Sequence, residues 1–163
     1  MNKLDVHYSS KYSEWETPKS LFDALNKEFR FKVDLCATKS NSKCDLYYDD
    51  IFDESADLSL NENTCFVNPP YGRSMTKFVK RFFDISGRTK VVCLLPARTD
   101  TKWWGVFWDH DNHKPRAGVE IRFLKGRLIF EKEGKPVLDK KGRPMPAPFP
   151  SAIVIMDRRF AWF

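Results

Sequence analysis

The chain lacks the features that would tie it to a membrane, a secretory route or a metal. It has no run of eighteen consecutive apolar residues, which argues against a membrane-spanning helix. Its opening segment, Met1-Asn2-Lys3-Leu4-Asp5-Val6-His7, is too polar for a signal peptide, so a soluble, cytoplasmic protein is expected. The four cysteines, Cys36, Cys44, Cys65 and Cys93, form no C-x-x-C pair. That spacing argues against a structural zinc and suits reduced thiols in a cytosol. His110 and His113 sit three apart, but Asp109 and Asp111 beside them make a polar loop the better reading, and no metal is expected. No internal repeat is visible.

What is present points to one globular domain spanning residues 1–163. A chain of this length can bury a sizeable single core. A hydrophobic content of 42% with 15% aromatics excludes a disordered chain. The net charge of +6 is compatible with a polyanionic partner through phosphate contacts, although simple solubility would give the same value.

Along the chain, the first twelve residues are polar and aperiodic and read as an irregular arm. Thr17 is a good N-cap and Pro18 a good first helical residue, and Leu21, Phe22, Leu25 and Phe29 recur at helical spacing. The pattern predicts a helix over about 18–28. Phe31 to Ala37 reads as a first strand, followed by a small-residue turn over 37–42. Tyr47 and Tyr48 mark a short strand. Phe66-Val67 is a strand running into Asn68, and Met75 to Phe83 carries Phe78, Val79, Phe82 and Phe83 on one helical face, with Gly87 as the stop. Lys90 to Leu95 reads as a fully buried strand closed by Pro96. Thr101 to Trp108 predicts a short aromatic helix. Gly118 to Leu124, Leu128 to Phe130 and Ser151 to Met156 read as further strands. Residues 131–147 are charged and rich in Gly and Pro, and predict a protruding basic loop or hairpin.

Strands alternating with helices, then strands clustering near the end, predict an α/β domain with a mainly parallel sheet and an antiparallel edge. Ligands of such sheets bind at the carboxyl ends of strands. Asp34, Asn68 and Pro96 all fall at predicted carboxyl ends and converge on one site.

The most informative word is Asn68-Pro69-Pro70-Tyr71, placed between an apolar strand and Gly72. Two prolines fix φ and remove two backbone donors, so carbonyls are left to face a ligand. An amide before them and a ring after them supply acceptors and a stacking surface for a flat heterocycle bearing an NH2 group. The lone pair of such an amine is delocalised into its ring. If the Asn68 side-chain oxygen and the Pro69 carbonyl each accept one N–H, the lone pair localises and the developing positive charge is stabilised. Tyr71 would stack on the base and hold it in line. The competing reading is a Pro-Pro turn capping a strand, with Tyr71 in the core.

Other candidates are more open. Arg98-Thr99-Asp100 follows a buried strand at the ligand edge, where Arg98 or Asp100 lines a base pocket or grips a phosphate, or Thr99 or Asp100 simply caps the next helix. Trp103, Trp104, Phe107 and Trp108 read first as core. Lys125-Gly126-Arg127 is either a hairpin turn with solvated charges or a nucleic-acid contact. Residues 131–147 carry Lys132, Lys135, Lys140, Lys141 and Arg143, a set able to project onto phosphates or to remain a solvated loop.

In their order along the chain, six motifs resemble the phage-type DNA N6-adenine methyltransferase (Dam) family over about residues 14–156. They are Trp15-x-Thr17-Pro18, Asp34-x-Cys36-Ala37, Asn68-Pro69-Pro70-Tyr71-Gly72, Leu95 to Asp100, Lys125-Gly126-Arg127-x-x-Phe130, and Ala147-Pro148-Phe149. The resemblance implies a Rossmann-like class I S-adenosylmethionine-dependent methyltransferase fold, S-adenosylmethionine as donor, and adenine in DNA as acceptor, reached by base flipping. It also implies a phage or prophage origin, and thus residence in a bacterial cytoplasm.

Carried over, Asn68, Pro69, Pro70 and Tyr71 are the catalytic set. Trp15, Thr17, Pro18, Asp34, Cys36 and Ala37 would hold the cofactor, with Asp34 either facing its amino group or simply capping the turn that follows the strand. Asp57 is a candidate for the adenosine part, in competition with Asp49, Asp50 and Asp53. Arg98, Lys125, Arg127, Lys140, Lys141 and Arg143 are the DNA candidates. The stretch Ala37 to Asn41 lacks the glycine-rich loop that most methyltransferases carry there, as this family also tends to. RNA-base and protein-glutamine amino-methyltransferases share Asn-Pro-Pro-Tyr and form the enzymatic alternative. A non-catalytic DNA-binding protein is the alternative of another class.

Overall fold

The computed structural model describes residues 15–53, 60 and 63–161. Asp57 lies outside them. The first helix, α1, runs Lys19–Phe29 and buries Phe22 and Leu25. It begins one residue later than the pattern predicts, because Pro18 keeps an extended ψ of 134° and is itself the N-cap. Thr17 therefore does not cap, and its buried hydroxyl finds no partner among the described residues. At the other end Arg30 turns left-handed at φ 53°, and the Asn26 side-chain oxygen accepts the Phe31 N–H at 2.8 Å.

Strand β1, Val33–Asp34, is shorter than the expected Phe31 to Ala37. The Asp34 carboxylate accepts the N–H groups of Cys36 at 3.4 Å and Lys43 at 3.1 Å. This side-chain capture competes with the ladder and bends the chain away from it. Strand β2, Leu46–Tyr47, pairs parallel with β1. Strand β3, Cys65–Val67, flanks β1 on the other side, with Val33 opposite Cys65 and Asp34 opposite Phe66.

Helix α2, Met75–Ile85, buries Met75, Phe78, Val79, Phe82 and Ile85. Its spacing of i, i+3, i+4, i+7 is what an amphipathic helix on a sheet requires. It stops at Ile85, with Ser86 as C-cap just before the anticipated Gly87, and half-buried Phe83 takes the Arg158 guanidinium over its ring at 3.7 Å.

Strand β4, Val91–Pro96, is buried at every position. The aromatic segment that follows is a 3-10 helix over Lys102–Val106, shorter than expected, and Thr101 rather than Thr99 or Asp100 precedes it. A small pair, β5 Trp108–Asp109 and β6 Lys114–Pro115, leads to β7, Val119–Phe123. Leu128 to Phe130, expected as a strand, forms no regular ladder. Its carbonyls are taken up singly, Phe130 by the Val137 N–H and Leu128 by the Ala147 N–H.

The basic segment contains a true hairpin, β8 Glu131–Lys132 and β9 Lys135–Pro136. Its two-residue turn has positive φ at both positions, 52° at Glu133 and 72° at Gly134, which matches the twist of the paired strands. The last strand, β10, is Ser151–Met156, with the bounds its apolar run predicts.

The sheet order is β2-β1-β3-β4-β10-β7. The first four strands are mutually parallel, and β10 runs antiparallel between β4 and β7. The antiparallel strand thus lies one position in from the edge. The strand order reverses between β1 and β3, and a crevice opens at their carboxyl ends.

Candidate active site

Asp34 ends β1 and Asn68 immediately follows β3, so the register of these two neighbouring strands carries both residues to the same edge of the sheet. A cavity of about 170 Å³ opens there. Its wall includes Trp15, Thr17, Asp34, Cys36, Ala37, Asn68 and Pro70. The sequence assigned these residues from three separate stretches of chain. Pro18 is buried just behind the wall, and its carbonyl begins α1.

The wall also contains Glu16, Asn41, Lys43, Asp49, Phe66 and Phe78, which the sequence reading did not assign to the site. Asp49 had stood only as a competitor of Asp57. Glu16 occupies the unassigned position inside Trp15-x-Thr17-Pro18, the one signal that pointed to it. Lys43 lies in a turn whose sequence carries no signal. It is recognisable only through its ion pair with Glu16, Nζ to Oε2 at 3.4 Å.

The geometry of the Asn68 amide is fixed by its neighbours. Its Nδ2 donates to the Trp15 carbonyl at 3.0 Å. A carbonyl only accepts, so the amide must present its NH2 there and its Oδ1 on the opposite side. Trp15 is itself held by stacking on Phe130, with ring centroids 5.2 Å apart. Among the described residues, neither Asn68 Oδ1 nor the Pro69 carbonyl takes a hydrogen bond. Two acceptors are thus open at the turn, one on a side chain and one on the backbone.

The electrostatics of the cavity are dominated by carboxylates. Burial pushes the Asp34 carboxyl above its ordinary value, against the backbone N–H groups of Lys43 and Cys36 that pull it down. Burial, with Asp34 alongside, also holds the Cys36 thiol well above its usual range, so it is protonated and packs as a small apolar group.

A second cavity, about 440 Å³, meets the same turn at Tyr71 and Gly72. Tyr71, Gly72, Arg73, Pro96, Arg98, Trp103 and Phe149 are in its wall. Tyr71 is only 5% exposed. Its hydroxyl donates to the Leu94 carbonyl at 3.1 Å, and its ring meets Phe149 edge-on at 5.5 Å. Burial raises the phenol far above its usual value, so it stays neutral. Trp103 belongs to the core, as its spacing predicts, and at 9% exposed it also borders this cavity, whereas Trp104 and Phe107 are fully buried.

Arg98 reaches the rim of the second cavity and stands 4.0 Å from Asp100. Lys125, Arg127, Lys140 and Lys141 are exposed and border neither of the two cavities. Arg143 is exposed as well, but its guanidinium is committed to Asp139 at 2.8 Å. The Arg143 backbone N–H, with this guanidinium and the Lys141 N–H, holds the Asp139 carboxyl below its ordinary range against some desolvation. Among the described residues no cluster of His, Cys, Asp and Glu is suited to a metal ion, and no helix is long and apolar enough to cross a membrane.

Compared with known protein families, the chain matches the model described as DNA N-6-adenine-methyltransferase (Dam) over residues 7–162, nearly its whole length. No curated protein matches it.

Proposed function

From the premise that the chain belongs to the DNA N-6-adenine-methyltransferase (Dam) family, whose members methylate the N6 amino group of adenine in DNA, we propose how its two cavities divide that reaction. The first holds S-adenosylmethionine and the second receives the target adenine, flipped out of the duplex. The Asn68–Tyr71 turn is the wall between them. The fold is read as Rossmann-like class I, supported by the strand order that reverses between β1 and β3.

The residues of the first cavity fit the donor. Thr17 is 2% exposed and its hydroxyl, which has no partner among the described residues, is a buried polar group open to a ligand atom. The carboxylates of Glu16, Asp34 and Asp49 suit a ligand that carries a sulfonium and an ammonium. Asp34 is the best placed for the ammonium, because its carboxyl is the most deeply buried of the three. Bound there, S-adenosylmethionine supplies an electrophilic methyl group.

Asn68 Oδ1 and the Pro69 carbonyl accept the two N6 protons of adenine. Their pull would localise the nitrogen lone pair and make N6 the nucleophile for the methyl group that bound S-adenosylmethionine would supply, with its thioether as leaving group. The same two acceptors stabilise the positive charge that builds on N6. The surplus proton then leaves to water. Tyr71, Trp103 and Phe149 enclose the base, and Tyr71 is held rigid by its bond to Leu94. Arg98 stands at the mouth of the pocket. The exposed Lys125, Arg127, Lys140 and Lys141 are the candidates to meet the phosphates, with Arg143 once it releases Asp139.

The observation that carries this reading is the pair of open acceptors at the turn, one held by the Asn68–Trp15 bond. The test is transfer of a tritiated methyl group from S-adenosylmethionine to unmethylated DNA, with RNA in parallel and nucleoside analysis of the product. Label in N6-methyladenine from DNA is expected. Label only in RNA would move the substrate, and no label above an Asn68→Ala control would end the enzymatic reading.

A further inference from the structure

Lys43 is the one cation in the wall of the first cavity among the described residues. Its ammonium is 3.4 Å from Glu16, and the two side chains are only 19% and 14% exposed. A pair so far out of water gains little or nothing in stability, because desolvation offsets the attraction. Glu16 is held from the opposite side as well. Its Oε1 accepts the Glu133 N–H at 2.8 Å, and its backbone pairs in both directions with Glu131. The hairpin thus fixes the carboxylate, and the carboxylate fixes the ammonium at the cavity wall. An ammonium has three donors, and the bond to Glu16 uses one of them.

We propose that Lys43 is the specificity-determining residue for the carboxylate of the donor's amino-acid end, with Glu16 as its positioning partner. This assignment rests on the donor reading above. That end of the ligand is a zwitterion, and the cavity has a matching arrangement: Asp34 for the ammonium and Lys43 for the carboxylate. The two are adjacent, since the Lys43 backbone N–H donates to Asp34 Oδ2 at 3.1 Å. One short turn thereby sets the spacing of both charges.

The experiment compares S-adenosylmethionine with its decarboxylated analogue, which keeps the sulfonium and the amine, by calorimetry on the full chain. The wild-type protein is expected to prefer the carboxylated ligand by on the order of 10- to 100-fold, the worth of a hydrogen-bonded charge. Lys43→Met should reduce that ratio to near one, with little change in affinity for the decarboxylated analogue. Lys43→Arg should retain most of the preference, and it stands in if the methionine variant does not fold. A preference that survives in Lys43→Met, or an equal loss for both ligands, would overturn the assignment by showing Lys43 to be silent or merely structural. If the wild-type protein bound both ligands equally well, the carboxylate would have no receiver and Lys43 alone would be refuted. If it bound neither, the donor reading itself would fail and take this assignment with it.

Discussion

The two cavities that meet at Asn68–Tyr71 are built from opposite materials. The first is walled by charge: Glu16, Asp34, Lys43 and Asp49, with the Thr17 hydroxyl, unpaired among the described residues, beside them. The second is walled by rings, Tyr71, Trp103 and Phe149, with Arg73 and Arg98 at its edge. Charged walls discriminate by the sign and spacing of ligand charges. Aromatic walls select flatness, and the arginines add attraction for an anionic backbone outside the pocket. A two-substrate reaction needs both kinds of surface, and the turn keeps them apart while touching each.

The largest effect is expected at the shared wall. Asn68→Ala removes one of the two acceptors and should lower turnover by about 100- to 1000-fold, the usual cost of removing one preorganised hydrogen-bonding group from a developing charge. Affinity for S-adenosylhomocysteine should change little, as measured by calorimetry. Lost cofactor affinity with preserved turnover at saturation would reverse the roles given to the two sides.

Asp34 tests the charged side. Asp34→Ala should weaken S-adenosylhomocysteine binding by about 10- to 100-fold, with turnover at saturation largely kept. The raised pKa gives a second readout. The ammonium is held only by the ionised carboxylate, so affinity should fall as pH drops through the Asp34 pKa, which lies above its ordinary 3.8. The stability of the ligand-free fold runs the other way. A carboxyl whose folded pKa is raised favours the fold most at pH below about 3.8, and that advantage is lost as pH rises through the folded value. The fold therefore tolerates an ionised Asp34 at some cost, as a ligand-binding group would require. Asp34→Asn should flatten the pH dependence of binding in this window, and a slope unchanged by the substitution would rule the carboxyl out.

Trp103 tests the aromatic side. Trp103→Leu should lower kcat/KM for DNA by about tenfold through weaker stacking. Binding of S-adenosylhomocysteine should be unaffected. If both fell together with the melting temperature, Trp103 would be a packing residue and the contrast between the two cavities would lose one of its walls.

How much of this was legible in the sequence depends on where the information sits. Ser151–Met156 was readable to the residue because an uninterrupted apolar run buried on both faces has one compact solution. The helix start was shifted by one, since Pro18 keeps an extended ψ and takes the N-cap place that its preference for the first helical position gives to Thr17. Leu128 to Phe130 looked like a strand by composition, but its partners, Val137 and Ala147, are irregular neighbours that composition does not reveal. In the site, Trp15, Thr17, Asp34, Cys36, Ala37, Asn68 and Pro70 were named in advance because each belongs to a short motif, and one cavity gathers them. Glu16 and Lys43 escaped because their pairing joins positions 27 residues apart, one at the unassigned place within a motif and the other in a stretch with no pattern of its own.

The smallest expected effects lie on the surface, away from both cavities. Lys140 and Lys141 are exposed, whereas Arg143 is tied to Asp139. If the lysines meet phosphates, Lys140→Ala with Lys141→Ala should weaken DNA binding to a similar degree on every sequence tested. It should also reduce the slope of log affinity against log salt by about one for each phosphate left without its lysine. Arg143→Ala should do less, because its guanidinium must first release Asp139. A titration series from low to moderate salt, read by fluorescence anisotropy, separates these cases. A salt slope unaltered by removing both lysines would mean that the segment is a solvated loop. The phosphates would then be met by Lys125 and Arg127, or by the arginines at the mouth of the aromatic cavity.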